Sequence, residues 1–193
     1  MQPLIDNART FGSRPEEFAS HADGQSPQVL FITCSDSRVV PALITGARPG
    51  ELFELRTAGN IVPPYTSGSP SGETATIEYA VEVLGVQDIV VCGHSHCGAI
   101  GALVRGDDLA AVPAVRDWLA HAADEPGACD PADVTVSEAV QQHVLAQLLR
   151  LRSYPCVERR LADGRLTLRG WYYEVHTGGV REHRVDSDAF ETL

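Results

Sequence analysis

The feature that most constrains this chain is a set of short, uninterrupted apolar runs: Val29 to Thr33, Leu52 to Leu55, Asp88 to Cys92 and Leu166 to Val175. Runs this short, without polar alternation, read as strands buried on both faces, which is the habit of a parallel sheet. Helical patterns lie between them. Glu73 to Leu84 places Ile77, Ala80, Val81 and Leu84 on one face, and Val136 to Leu151 does the same with Val140, Val144, Leu148 and Leu151. Strands alternating with helices predict an α/β fold, with a central, mostly parallel sheet flanked by helices. After Gly178-Gly179, Val180 to Val185 is expected to return as an edge strand. Pro3 to His21 reads as a helix detached from this core, suited to packing on a neighbouring subunit. The turn-rich stretches Pro63 to Ser71 and Glu125 to Asp133 join elements rather than domains. The 193 residues make one domain, residues 1–193.

The charge balance limits the partners. There are 26 acidic and 15 basic side chains, for a formal charge of −11, which argues against nucleic acid or an anionic membrane surface. No apolar run approaches the roughly 20 residues needed to span a bilayer. The first residues lack the basic-then-apolar layout of a secretory signal, so a cytoplasmic location is expected. The 5 cysteines, Cys34, Cys92, Cys97, Cys129 and Cys156, are an odd number at wide spacing and a poor disulfide framework. In a reducing compartment they are expected to bind metal or to pack as small apolar residues. Burial is the reading for Cys92, Cys129 and Cys156.

Two segments carry chemistry, and each follows directly on an expected strand: TCSDSR, Thr33 to Arg38, and CGHSHCGA, Cys92 to Ala99. In open parallel sheets, ligands bind beyond the carboxyl ends of the strands, where the strand order reverses. Two thiols and an imidazole form a donor set that favours zinc. His94 and Cys97 sit three apart, within one tight turn, and Cys34 supplies a third ligand from the neighbouring strand end. Backbone amides at the start of a helix after Gly98 favour the thiolate of Cys97. Three ligands leave a fourth position open, as a catalytic zinc requires; a purely structural zinc would take His96 or Cys92 as a fourth. His96 otherwise reads as a group at the surface or behind the ligands. Zinc held by two thiolates and a neutral imidazole carries no net charge, so it acidifies bound water less than a three-histidine site does. An ionised Asp36 steadied by Arg38 helps by accepting a hydrogen bond from that water. The bland alternative makes Asp36 a helix cap and Arg38 a surface residue.

With those residues in place, the sequence resembles the β-class carbonic anhydrases. The motifs are Cys34-x-Asp36-x-Arg38 and His94-x-x-Cys97, with RTAGNIVPPY (Arg56 to Tyr65) and IEYAVEVLGV (Ile77 to Val86) in support. The resemblance runs from about Gln25 to Val104 and resumes weakly over Leu166 to Thr177. It implies a β-carbonic anhydrase fold and one zinc per subunit on Cys34, His94 and Cys97. It makes Asp36 and Arg38 the catalytic pair. The activity implied is reversible hydration of carbon dioxide to bicarbonate and a proton through zinc-bound hydroxide. It also implies a homodimer or a dimer of dimers, with the cleft at the subunit interface. The plant-type subtype, with its open site, has a glutamine nine residues before the first cysteine, the place of Gln25. Phe53, Ala58, Tyr79 and Gly98 match the remaining substrate-side positions. The closed, bicarbonate-regulated subtype has a tryptophan three residues before that cysteine, where this chain has Phe31. Thr57 departs from the more common asparagine. The same ligands and pair also serve enzymes acting on carbon disulfide or carbonyl sulfide, and a non-catalytic bicarbonate or zinc binder is a third reading.

Overall fold

The computed structural model describes residues 1–12, 18–123 and 135–193. Six strands form one sheet in the order β2-β1-β3-β4-β5-β6. They are β1 Val29–Cys34, β2 Leu52–Thr57, β3 Asp88–His94, β4 Thr167–Tyr173, β5 Val180–Arg184 and β6 Ala189–Thr192. The first four run parallel; β5 runs antiparallel to β4, and β6 antiparallel to β5. The helices are α1 Gln2–Phe11, α2 Pro41–Thr45, α3 Gly72–Glu78, α4 Gly98–Arg105, α5 Pro113–Ala123, α6 Val136–Arg152 and α7 Pro155–Ala162. Among the described residues, no helix is long and apolar enough to cross a membrane.

The chain moves from β1 to β2 on one side of the sheet, then crosses to β3 and β4 on the other. The reversal lies between β1 and β3, and it opens a crevice at their carboxyl ends. Leu30, Ile32, Ile89 and Val91 turn one face of these strands into the main core, against Ile77, Ala80, Val81, Val144, Leu151 and Tyr154. Phe31, Val90 and Cys92 alternate onto the other face, packed with Trp171. Each fully buried aliphatic side chain contributes roughly 1.5–3 kcal/mol, so β1 and β3 are the fixed centre of the molecule. Gly93 permits the closest approach of α6, for a Cβ there would meet Val140 Cγ1 at 2.6 Å and Val144 Cγ2 at 2.7 Å.

Four expectations need correction. The strand after Gly179 is not the sheet edge; β6 pairs outside it, a short strand with only Phe190 partly buried and hence no visible period. The N-terminal helix ends at Phe11, before Gly12, and Ala19–Asp23 forms a separate 3-10 turn; every residue of α1 is solvent-exposed. The helix from Gly72 changes at Tyr79 to a π-helical turn through Leu84, while still burying Ile77, Ala80 and Val81. Strand β2 is an edge strand and only half-buried. The expected helix face of α6 stands, opened by a reciprocal cap between Thr135 and Glu138. Cys92 and Cys156 are buried, and burial pushes the Cys92 thiol up to about 12. The loop expected over Glu125 to Asp133, with Cys129, lies outside the described residues.

Candidate metal centre

Parallel pairing sets Thr33 of β1 against Cys92 of β3, so Cys34 and His94 emerge together at the crevice. Cys97 arrives as the residue that caps α4. The ligand atoms of Cys34, His94 and Cys97 lie within 4.8 Å of one another, and all three residues are buried. His94 is fully buried, and its Nδ1 donates to the Ser95 carbonyl at 2.9 Å. Its Nε2 has no hydrogen-bond partner. A buried imidazole nitrogen without a hydrogen-bond partner, beside two sulfurs, is a donor arrangement that a cation would satisfy. The donor set fits zinc.

The sulfurs of Cys34 and Cys97 lie within 4.8 Å of each other. Cys34 is driven well below the ordinary thiol value by Cys97, with help from His94 and the backbone amides of Asp36 and Gly59. Cys97 is driven up by the same contact and by burial, while the amides of Ala99 and Ile100 oppose that. A divalent cation bound there would displace the thiol protons.

Asp36 sits beside this cluster without joining it. Arg38 donates to it from Nε to Oδ1 at 2.9 Å, from Nη2 to Oδ2 at 2.6 Å, and from its backbone N to Oδ1 at 2.9 Å. Oδ2 lies 3.9 Å from His94 Nε2. The guanidinium holds the carboxyl well below the usual carboxylate range. Arg38 Nη2 also reaches the carbonyl of His96 at 3.2 Å, so the pair bridges both motif loops. His96 itself is exposed, with φ at 56°.

A family model described as carbonic anhydrase matches residues 29–180. The solved structure of the β-carbonic anhydrase CcaA superposes with a TM-score of 0.88 at 39% identity, covering 100% of this chain and 99% of that one. The chain belongs to the β-class carbonic anhydrases. A carbonic anhydrase of Pseudomonas aeruginosa is 51% identical over 191 residues, 93% of this chain and 86% of the relative. Crystal structures of two tetrameric β-carbonic anhydrases from Sordaria macrospora have a representative with a TM-score of 0.72 and 32% identity, covering 94% of this chain and 92% of that one.

The residues expected on the substrate side divide into two groups. Ala58 follows Thr57, the register partner of Cys34, and Gly98 follows Cys97, so both flank the cluster. Phe53 instead pairs with Leu30, four residues back from Cys34, a displacement of about 13 Å along the strand. Its ring lies tilted against that of Tyr79, 6.0 Å between centroids, and Phe53 packs on the main core. Gln25 precedes β1 and so lies toward the strand end opposite Cys34. Gln25, Phe53 and Tyr79 are thus not gathered around the Cys34 of their own chain.

Several supporting residues were not legible as such. Arg56 Nη2 binds the carbonyls of Cys34, Asp36 and Val39 at 3.1, 2.9 and 2.7 Å, and fixes the loop that carries both a candidate ligand and the carboxylate. Its place in the RTAGN segment was the only signal. Ser95 Oγ accepts from Val175 N at 2.9 Å, tying the second loop to β4. Buried His143 of α6 donates from Nε2 to the Gly59 carbonyl at 2.9 Å.

Proposed function

We propose that this carbonic anhydrase holds one zinc ion per subunit on Cys34, His94 and Cys97, and hydrates carbon dioxide reversibly to bicarbonate with Asp36 and Arg38 as its catalytic pair. The observation that carries this reading is the unpartnered His94 Nε2 between two sulfurs, with a clamped carboxylate oxygen 3.9 Å away. Zinc there supplies a Lewis acid with one open coordination position. Asp36 accepts the O–H of the attacking water at Oδ2 and holds the oxygen lone pair toward the carbon. Arg38 keeps that carboxylate ionised and off the cluster. Water adds its oxygen to carbon, bicarbonate leaves, and the proton passes to buffer.

Gln25, Phe53 and Tyr79 are read as substrate-side residues of a neighbouring copy, completing an apolar niche next to Ala58 and Gly98. Exposed α1, the 44% exposed Tyr79 and the 65% exposed Val83 give a homodimer, or a dimer of dimers, surface to bury. Mixing Cys97→Ser protein with a Gln25→Ala/Tyr79→Ala variant, after dissociation and reassembly, is expected to give more activity than the two parents summed. Each mixed dimer then holds one intact site. Activity no higher than the sum would place the whole pocket within one chain.

The reaction is tested by stopped-flow carbon dioxide hydration from about pH 6.5 to about pH 9, the span over which a zinc bound there would be expected to activate water. Fast turnover by zinc-loaded protein, abolished by a chelator and restored by zinc, is expected. Zinc-loaded protein without hydration anywhere in that range would overturn the assignment.

A further inference from the structure

The ligand thiolate of Cys34 accepts a hydrogen bond from the Gly59 N–H, at 3.4 Å. The same peptide unit carries the Ala58 carbonyl on its other side, and that oxygen accepts from the indole Nε1 of Trp118 at 2.9 Å. With no cis peptide bonds in the described chain, the carbonyl and the N–H point in opposite directions. Donation into the oxygen therefore withdraws electron density from the N–H and strengthens its bond to sulfur, an effect of about 10–30% per bond along such a chain.

The surroundings hold this relay in one geometry. Gly59 has φ at 72°, a left-handed conformation that aims its N–H at the sulfur, and a Cβ there would meet Ala99 Cβ at 3.1 Å. Its own carbonyl is bound by His143, so the turn is gripped from two helices. Leu119 and Ala122 anchor α5 against Ile61, just beyond the turn. The Trp118 ring lies edge-on to His121 at 5.6 Å, and the His121 carbonyl is bound by Arg150 Nη1 at 2.8 Å.

We infer that Trp118 is a positioning residue of the metal centre, which sets the donor strength of the Cys34 sulfur through the Ala58–Gly59 peptide. This rests on the reading of Cys34, His94 and Cys97 as a metal site. Hydrogen bonds around a ligating sulfur tune how much charge it gives the metal, so the indole makes Cys34 a weaker donor than it would be without that bond.

The test uses cobalt(II) in place of zinc and reads the thiolate-to-cobalt charge-transfer absorption. In one protein, Trp118 is replaced by 3-benzothienylalanine, which keeps the ring and puts sulfur where the N–H was. Loss of the donor raises the energy of the Cys34 lone pair, so the band is expected to move to longer wavelength. The same replacement at Trp171, whose indole N–H is buried without a partner, is expected to leave the band in place. Trp118→Phe is expected to shift the band in the same direction. A band unmoved by the replacement at 118, or moved equally by the one at 171, overturns the relay while leaving the metal centre intact. Absence of any thiolate band in the parent protein overturns the centre and the relay together.

Discussion

His94→Ala is expected to empty the metal centre and reduce carbon dioxide hydration to the uncatalysed background, and Cys97→Ser is expected to do the same. His94 is fully buried with its Nδ1 committed to the Ser95 carbonyl, so nothing rotates in to replace Nε2. Serine at 97 offers a hydroxyl that stays protonated at neutral pH, where a thiolate ligates. Removing a hydrogen-bond partner behind a metal ligand commonly costs about 10–100-fold in affinity; removing the ligand itself is expected to cost more than that. Metal content after gel filtration in a mild chelator gives the readout, with circular dichroism to confirm the fold. The fold should persist, because β1 and β3 are held by cores on both faces of the sheet rather than by the ion. Either variant keeping a full complement of zinc and parental turnover would remove its residue from the ligand set.

The candidate ligands were legible because their chemistry is local. Each motif follows a short apolar strand, and the end of a buried parallel strand is where an α/β fold presents functional side chains. Cys34 and His94 needed only the β1–β3 pairing to meet. What held them was less visible, because it comes from far along the chain. Trp118 meets Ala58 across 60 positions, and His143 meets Gly59 across 84. Helix α5 carries little periodic signal, since most of its residues face solvent. The π-helical turn at Tyr79 had no residue to announce it, for the apolar spacing of Ile77, Ala80 and Val81 suits an ordinary helix. Gln25, Phe53 and Tyr79 matched a motif by position, yet the register puts Phe53 about 13 Å from the level of Cys34. Sequence position assigns such residues a role without saying whose site they serve.

Asp36→Asn is expected to keep the zinc and lose about 10²–10⁴-fold in turnover, the usual contribution of a positioned proton-handling group. Asparagine fills the same volume, and Asp36 is not one of the three clustered donors, so metal content should equal that of the parent. What changes is charge. Arg38 presently spends Nε and Nη2 on the carboxylate, and that pairing is the largest cause of the carboxyl's depressed pKa. An amide cannot be held ionised, and its NH2 face turns a donor toward either the guanidinium or the substrate water, where only an acceptor serves. The sign of the pH effect follows from the direction of the shift. A carboxyl lowered below its ordinary range is already fully ionised at about pH 6.5, so it does not titrate as the pH rises from there. The rise in turnover between about pH 6.5 and about pH 9 belongs to another group and should survive in Asp36→Asn at a reduced plateau. A variant that hydrates carbon dioxide at the parental rate would show that the carboxylate has no part in the reaction. One that loses the rise as well as the rate would assign that titration to Asp36 and contradict the clamp seen at Arg38.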